Sequence, residues 1–336
     1  MPTFTSSRYT ISAATITADL TLDTLREAML QHRPDHAALS GGWASTEDAG
    51  SNLRVPNAAP PVSDPELLDD EGDYPRRLVA RYYYFRKDPQ LVRAYPDAAE
   101  QQHHYLDAVD VLISALPDRP KVFQVLFASG NGAMLRGLVR ALRSAVLSLD
   151  ESGSVRHDGA SIAFNPDLFL WLLVRARDDR QITPSTEISD VLSATARDST
   201  RRNTLLSDGV DFDRPALLVA VAEIDHLGLA RVSLRDEELN ATVTADVWAS
   251  GKFSIIKTET HYPDVVGDAE TRLASLQDLA YVLLPRMIQV YGDGADGWGD
   301  AKRATEIRAA ATALIKRYEQ KVADHDAALA AAPASA

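Results

Sequence analysis

The sequence predicts an α+β (mixed α/β) fold, in which antiparallel-rich sheets pack against helices and the C-terminal third is helical. Three observations predict it. Residues 186–262 follow a β-α-β-β-β pattern, residues 121–149 follow a strand-then-helix pattern, and residues 268–327 have the spacing of two long helices. Strands joined by short turns imply antiparallel neighbours, and the apolar faces of the helices need a sheet to cover.

The N-terminal segment begins with regular elements and then loses its pattern. Alternating residues over 3–19 predict one or two strands, and apolar residues at helical spacing predict a helix over 22–32. Residues 33–76 contain paired glycines, several prolines and an acidic cluster over 64–73. A stretch of this length and composition is typical of a mobile surface loop.

The next elements are predicted from aromatic, β-branched and helical patterns. Residues 78–86 are rich in tyrosine and valine and predict a strand. Pro96 is expected to open a helix that runs to Leu116. The uninterrupted apolar run 121–128 predicts a buried strand, and a turn then leads into an amphipathic helix over 133–149.

A helix start is marked at Asn165, a good N-cap residue, and Pro166, which suits the first helical position. The β-α-β-β-β pattern comes next. It predicts a strand over 186–197, a polar and basic turn, a helix from about Pro215 to Gly228, and three strands over 229–262.

The C-terminal third predicts helices over 268–290, bent at Pro285, and over 301–327, joined by a Gly/Asp-rich connector. At 336 residues, two domains are expected. We place an N-terminal α/β region at 1–150, with the acidic Pro-rich loop 33–76, and a C-terminal α+β region at 151–330.

Composition narrows the function classes. The chain has no cysteine, which excludes disulfides, thiolate metal sites and thiol catalysis. No apolar run is long enough to cross a bilayer, and the first twenty residues lack the pattern of a signal peptide. We therefore expect a cytoplasmic protein that has no membrane partner. The net charge of -13 argues against nonspecific nucleic-acid binding by the whole surface.

Local arginine groups are the best binding candidates. Arg136, Arg140 and Arg143 share one helix face, and Arg197, Arg201 and Arg202 lie near hydroxyl side chains in the turn after the 186–197 strand. Arginine forks suit phosphate oxygens, so these residues are predicted to bind nucleic acid. The alternative is a solvated face that pairs with the surplus of acidic residues.

The turn Ser129, Gly130, Asn131 and Gly132 lies between a strand and a helix, where backbone N–H groups favour an anion. It lacks the spacing of a phosphate-binding loop, and a plain turn explains it equally well. No histidine, serine or acidic pattern has catalytic or metal-ligand spacing. We therefore expect no catalytic residue, no metal and no cofactor.

Residues 205–259, which begin LLSDGVDFDRPALLVAVAEIDHLG, together with 121–146 and Gly42-Trp43, resemble the bacterial recombination-associated RdgC family in the order of their elements. The resemblance implies a ring-like dimer that binds double-stranded DNA without enzymatic activity. The N-terminal half departs from that family, because the acidic segment 56–75 stands where the family carries a basic strand.

Three functions stay open from the sequence. The first is a non-enzymatic cytoplasmic protein for binding or assembly, associated with duplex DNA through its arginine clusters. The second is an enzyme that acts on a small phosphorylated ligand near the Ser129–Gly132 turn. The third is a structural subunit whose long helix 301–327 contacts protein partners or a second copy of the chain.

Overall fold

The computed structural model describes residues 8–43, 64–116, 119–157, 164–165, 167–197, 203–206, 218–219, 221, 226–265, 268–294 and 297–331. The strands, in chain order, are β1 (Arg8–Thr17), β2 (Glu66–Leu68), β3 (Arg77–Lys87), β4 (His104–Leu116), β5 (Arg119–Phe127), β6 (Ser154–Arg156), β7 (Thr186–Arg197), β8 (Asn203–Leu206), β9 (His226–Asp236), β10 (Ala241–Trp248) and β11 (Phe253–Ile256).

The α-helices are α1 (Leu22–Leu30), α2 (Pro89–Ala94), α3 (Gly132–Leu147), α4 (Asp167–Asp178), α5 (Asp268–Gln277), α6 (Leu284–Asp293) and α7 (Asp300–Ala331). A π-helical segment, Asp278–Leu283, lies between α5 and α6. The predicted α+β class, with antiparallel sheets and a helical C-terminal third, is confirmed.

The chain divides into two compact units, and each is discontinuous in sequence. The first unit comprises Met1–Ala163 and Ser250–Leu283, and the second comprises Phe164–Ala249 and Leu284–Ala336. The residue pattern 186–262 is therefore shared, because β7 to β10 belong to the second unit and β11 to the first. A domain boundary at residue 150 stays a prediction.

The first unit is built on a sheet with the strand order β2-β3-β4-β5-β1-β11, in which β6 also pairs with β1. Its described pairs are antiparallel, with Tyr9 opposite Ile255 and Arg77 opposite Ser114. One face of this sheet is covered by α1 and α3, and their leucines form a continuous apolar core with Val111 and Val125. Burial of this apolar face supplies the main stabilising term of the unit.

The opposite face of the first sheet is unusually polar for a buried surface. Because side chains alternate along a strand, Arg77 and Arg81 on β3 share this face with Asp110 and Ser114 on β4. Arg81 Nε donates to Asp110 Oδ1 at 2.8 Å, directly across the two strands. The segment Ser250–Leu283 contributes to this face, since Tyr9 OH lies 2.6 Å from Ser275 Oγ.

The second unit packs α4 against a sheet with the order β8-β7-β9-β10. Every side chain from Leu168 to Val174 is buried, as expected for a helix enclosed on all sides. Asp236 is 1% exposed and is held by the Arg286 guanidinium at 2.9 Å and the Leu239 N–H at 3.0 Å. The carboxylate is therefore paired and hydrogen-bonded, which buried charge requires.

One predicted element is wrong, and two others have different bounds in the structure. The helix over 96–116 is instead a short 3₁₀ turn at Glu100–His103 followed by β4. The helix predicted to end at Gly228 ends earlier, because β9 begins at His226, and the preceding turn contains β8. The last predicted strand, over 252–262, shortens to β11 because a 3₁₀ turn begins at Lys257.

The predicted loop 33–76 contains ordered structure in its described parts. Gly42 exchanges two backbone hydrogen bonds with Tyr83 of β3, at 3.0 and 2.8 Å, and Trp43 is 1% exposed. Closer to β3, residues Glu66–Leu68 add β2 to the edge of the first sheet. Residues 44–63 lie outside the described residues.

Candidate functional site

Helix α3 carries the predicted site residues that the structure describes most fully. Its N-cap is Asn131, whose side-chain oxygen accepts from Ala133 N at 3.0 Å and from Met134 N at 3.2 Å. One face of α3 buries Leu135, Leu138 and Leu142 against the first sheet. The capped first turn and this apolar face fix which residues α3 presents to solvent.

The solvent face of α3 presents Arg136, Arg140 and Arg143, all exposed. They occupy positions i, i+4 and i+7, so they line one side of the helix over about 10 Å. We call these three residues the α3 arginine face. Within the described part of the chain, none of the three forms an ion pair. The sequence prediction that they share a face is confirmed by the helix bounds.

Among the described residues, the lack of ion pairs on the α3 arginine face contrasts with other exposed cations of this acidic protein. Elsewhere in the first unit, exposed cations do find carboxylates. Arg76 Nη2 lies 2.9 Å from Asp23 Oδ1, and Lys121 Nζ lies 2.8 Å from Asp19 Oδ2. Three neighbouring exposed guanidinium groups form a local positive patch on a chain whose net charge is -13.

The Ser129–Gly132 turn lies at the start of the same helix. Asn131 N–H donates to Ser129 Oγ at 3.2 Å, and Ser12 Oγ donates to the Ser129 carbonyl at 2.8 Å. A Cβ at Gly130 would lie 2.8 Å from Thr10 Cγ2, so the turn fits closely against β1. Asn131 already occupies two N–H groups of the helix start that an anion would need.

The Ser129–Gly132 turn and the first arginine of the α3 arginine face lie next to each other. A Cβ at Gly132 would lie 3.8 Å from Arg136 Nη1, so the Arg136 guanidinium lies beside the turn. The positive end of the α3 dipole and the first arginine of the α3 arginine face therefore act on the same region of solvent. This arrangement can attract an anion.

The other predicted arginines are not brought to this surface by any described contact. Arg197 is the last residue of β7 in the second unit, and its side chain lies outside the described residues. Arg201 and Arg202 also lie outside the described residues. Only the α3 half of the predicted nucleic-acid site therefore has a described geometry.

A cluster of two tyrosines around one buried carboxylate, in the first unit, was not predicted from the sequence. Asp278, in the π-helical segment, is 4% exposed and accepts from Tyr74 OH at 2.6 Å and from Tyr262 OH at 2.7 Å. Burial, together with the neighbouring carboxylate, raises the pKa of Tyr262 and of Tyr74 well above the ordinary tyrosine value. We call these three residues the Asp278 cluster.

The surroundings of the Asp278 cluster are also buried and polar. Burial raises the pKa of Tyr281 to about 12, and the Ser114 hydroxyl and the Arg77 charge oppose this shift. The Arg77 guanidinium carbon lies 5.3 Å from the centre of the Tyr74 ring. Nothing in the sequence identified the cluster, because Tyr74 and Asp278 are distant in the chain and meet only through the fold. Its enclosure favours a structural role.

Within the described ranges, no group of three or more histidine and acidic side chains is placed to hold a metal ion. Among the same described residues, no helix is both long enough and apolar enough to cross a bilayer.

Comparison with known proteins adds little to this geometry. No protein-family model matches the chain, and no curated protein matches it. Among solved structures, the di-domain ARO/CYC StfQ from the steffimycin biosynthetic pathway is 12% identical, over 83% of this chain and 96% of that chain, with a TM-score of 0.17. A TM-score this low supports no inference about fold or function. The resemblance to recombination-associated proteins rests on element order alone.

Proposed function

We propose that this chain is a non-enzymatic binding protein that contacts the phosphate backbone of duplex DNA through the α3 arginine face. The observation that carries the proposal is the exposure of Arg136, Arg140 and Arg143 on one side of α3, without an ion pair among the described residues. Guanidinium groups pair with phosphate oxygens, and such contacts position a protein on DNA without reading its sequence.

The acidic charge of the rest of the protein limits the area that can contact DNA. A net charge of -13 repels DNA from most of the surface, so contact is confined to a small positive area. Three phosphate contacts give weak binding that depends on salt, with a slope of about -2.7 for the logarithm of the binding constant against that of salt concentration. The proposal therefore describes a weak, sequence-independent contact.

The test is to replace the three arginines of the α3 arginine face by glutamine and to measure DNA affinity at several salt concentrations. We expect the R136Q/R140Q/R143Q variant to lose most of its affinity at low salt, and its salt slope to become smaller by about 2.7. Fluorescence anisotropy with a labelled duplex of random sequence measures both quantities.

The matched control replaces three exposed arginines outside α3, R33Q/R93Q/R308Q, and so changes the net charge by the same amount. We expect this control to keep the slope of the unmodified protein. Equal losses in the two variants, or an unmodified protein that does not bind duplex DNA at low salt, would overturn the proposal.

A further inference from the structure

The C-terminal half of α7 presents its side chains to solvent. Every side chain from 315 to 328 is exposed, whereas Ala310, one turn earlier, is 6% exposed. The exposed part is about 21 Å long. Helical segments of this length are marginal in water unless another element packs on them. Packing of another element on this part of α7 would therefore stabilise it.

Large apolar side chains line one side of this exposed helix. Ile315, Tyr318 and Val322 are 60%, 55% and 61% exposed and follow one another at spacings of three and four residues. We call these three residues the α7 stripe. The spacing places Ile315 and Val322 at a positions and Tyr318 at a d position of a heptad, the seam through which coiled-coil helices pack. A single exposed apolar residue is ordinary, but an aligned set marks an interaction surface.

We propose that the α7 stripe is a self-association surface, on which the same helix of a second copy of this chain packs in parallel. The residues at a positions favour this occupant. Ile315 and Val322 are both β-branched, the residue type typical of a positions in parallel two-stranded coiled coils, and the d positions carry Tyr318 and His325. The surface lies on α7 in the second unit, so the proposal is independent of the α3 arginine face and of DNA.

The charges beside the α7 stripe select the parallel orientation. Lys321 occupies a g position, and Glu319 and Asp326 occupy e positions of the same heptads. In a parallel pair, Lys321 of each copy faces Asp326 of the other, which gives two ion pairs of opposite charge. An antiparallel pair would set Lys321 against Lys321 and Glu319 against Glu319. Like charges at these positions disfavour that arrangement.

The charge balance also argues against a membrane surface as the occupant. Between 315 and 328 the helix has three basic residues, Lys316, Arg317 and Lys321, and three acidic residues, Glu319, Asp324 and Asp326. Helices that lie on anionic membranes carry an excess of lysine and arginine on the polar face. Two heptads bury less surface than a permanent dimer needs, so we expect weak, reversible association.

Sedimentation equilibrium tests the proposal on the full chain, from about 1 μM to about 200 μM, the range for a small interface. We expect a monomer–dimer equilibrium that I315D or V322D shifts to monomer. The control A323D adds the same charge to an exposed position of the same helix, away from the stripe, and should leave the equilibrium unchanged. A monomer at every concentration, or equal effects of V322D and A323D, would overturn self-association.

The orientation has its own test. K321E and D326K should each weaken the dimer, and the double variant K321E/D326K should restore it, because the swapped charges attract again across a parallel pair. The chain has no cysteine, so V322C supplies a single thiol. In a parallel dimer, oxidation should join V322C to its own equivalent much faster than it joins A323C. Tightening by K321E alone, or equal cross-linking of the two thiols, would overturn the parallel arrangement.

Discussion

Single residues determine where α3 begins and what surrounds its first turn. Asn131 and Asn165 are both N-caps, and the second was predicted from the sequence because proline follows it. Asn131 was seen only as part of a glycine-rich turn. Its role depends on a side-chain rotamer that reaches two N–H groups, and sequence spacing does not specify a rotamer.

Replacing Asn131 by alanine should destabilise the protein by about 1 kcal/mol, because Ala133 N–H and Met134 N–H lose their acceptor. Urea unfolding followed by circular dichroism measures the change. Asn131→Asp is the control, since aspartate caps a helix equally well and should retain the stability. A loss as large in the aspartate variant would mean that Asn131 acts through some contact other than the cap.

Tyrosines of the Asp278 cluster make stability depend on alkaline pH. The ordinary tyrosine pKa is 10.0, and the folded protein raises the pKa of Tyr262 above it through burial and the Asp278 carboxylate. Above about pH 10 the unfolded chain releases this proton and the folded chain keeps it. Stability contributed by the neutral phenol is therefore fully present below that pH and is lost as the pH rises.

Tyr262→Phe should make the alkaline loss of stability less steep by about 1.4 kcal/mol per pH unit above pH 10, because one raised pKa is removed. The free energy of unfolding, measured in urea between pH 8 and pH 11, gives the slope. Tyr95→Phe is the control, since Tyr95 is 64% exposed. Identical slopes for Tyr262→Phe and the unmodified protein would contradict this account of the cluster.

At the scale of elements, most strands and helices were predicted from their residue patterns, and β4 was the main exception. The helix α3 and the strand β3 were both found, since the apolar residues of α3 recur at helical spacing and β3 is rich in aromatic residues. The residue pattern of β4, by contrast, predicts a helix. Both its faces are largely covered, so Leu106, Val109, Leu112 and Ile113 satisfy the helical spacing as well as the strand spacing.

β-Branched residues were the evidence that would have identified β4. Val109, Val111 and Ile113 alternate over five positions and are all buried on the face that α1 and α3 cover. Such residues favour strands because their side chains pack well on a pleated surface.

For the candidate site, the sequence sufficed to place three arginines on one side of α3, because that placement needs only the helical repeat.

At the scale of the whole molecule, the return of Ser250–Leu283 to the first unit was beyond sequence reasoning. The residues Phe253–Ile256 look like the last strand of the preceding series, yet they pair with β1 at the other end of the chain. Pairing between strands far apart in sequence is decided by tertiary packing rather than by local pattern. The Asp278 cluster could not be predicted for the same reason, because Tyr74 and Asp278 meet only in the folded protein.

A chimera tests whether the first unit needs its returning segment. Phe164 N–H donates to the Ala249 carbonyl at 3.0 Å, so the two ends of the inserted segment 164–249 meet. We expect residues 1–163, joined by a short Gly/Ser linker to 250–283, to unfold cooperatively in urea. Residues 1–163 alone should not, because β1 then lacks β11 and Tyr74 lacks Asp278. Equal cooperativity of the two proteins would show that the returning segment is dispensable.

The pairing of β1 with β11 also has a consequence for synthesis. Tyr9 lies opposite Ile255, so β1 is synthesised well before the strand that pairs with this edge. Until then, the edge of β1 that β11 will cover offers unpaired N–H and C=O groups to any neighbouring chain. Nascent chains of this protein should therefore depend on chaperones, and interrupted translation products that stop before residue 250 should aggregate more readily than the finished protein.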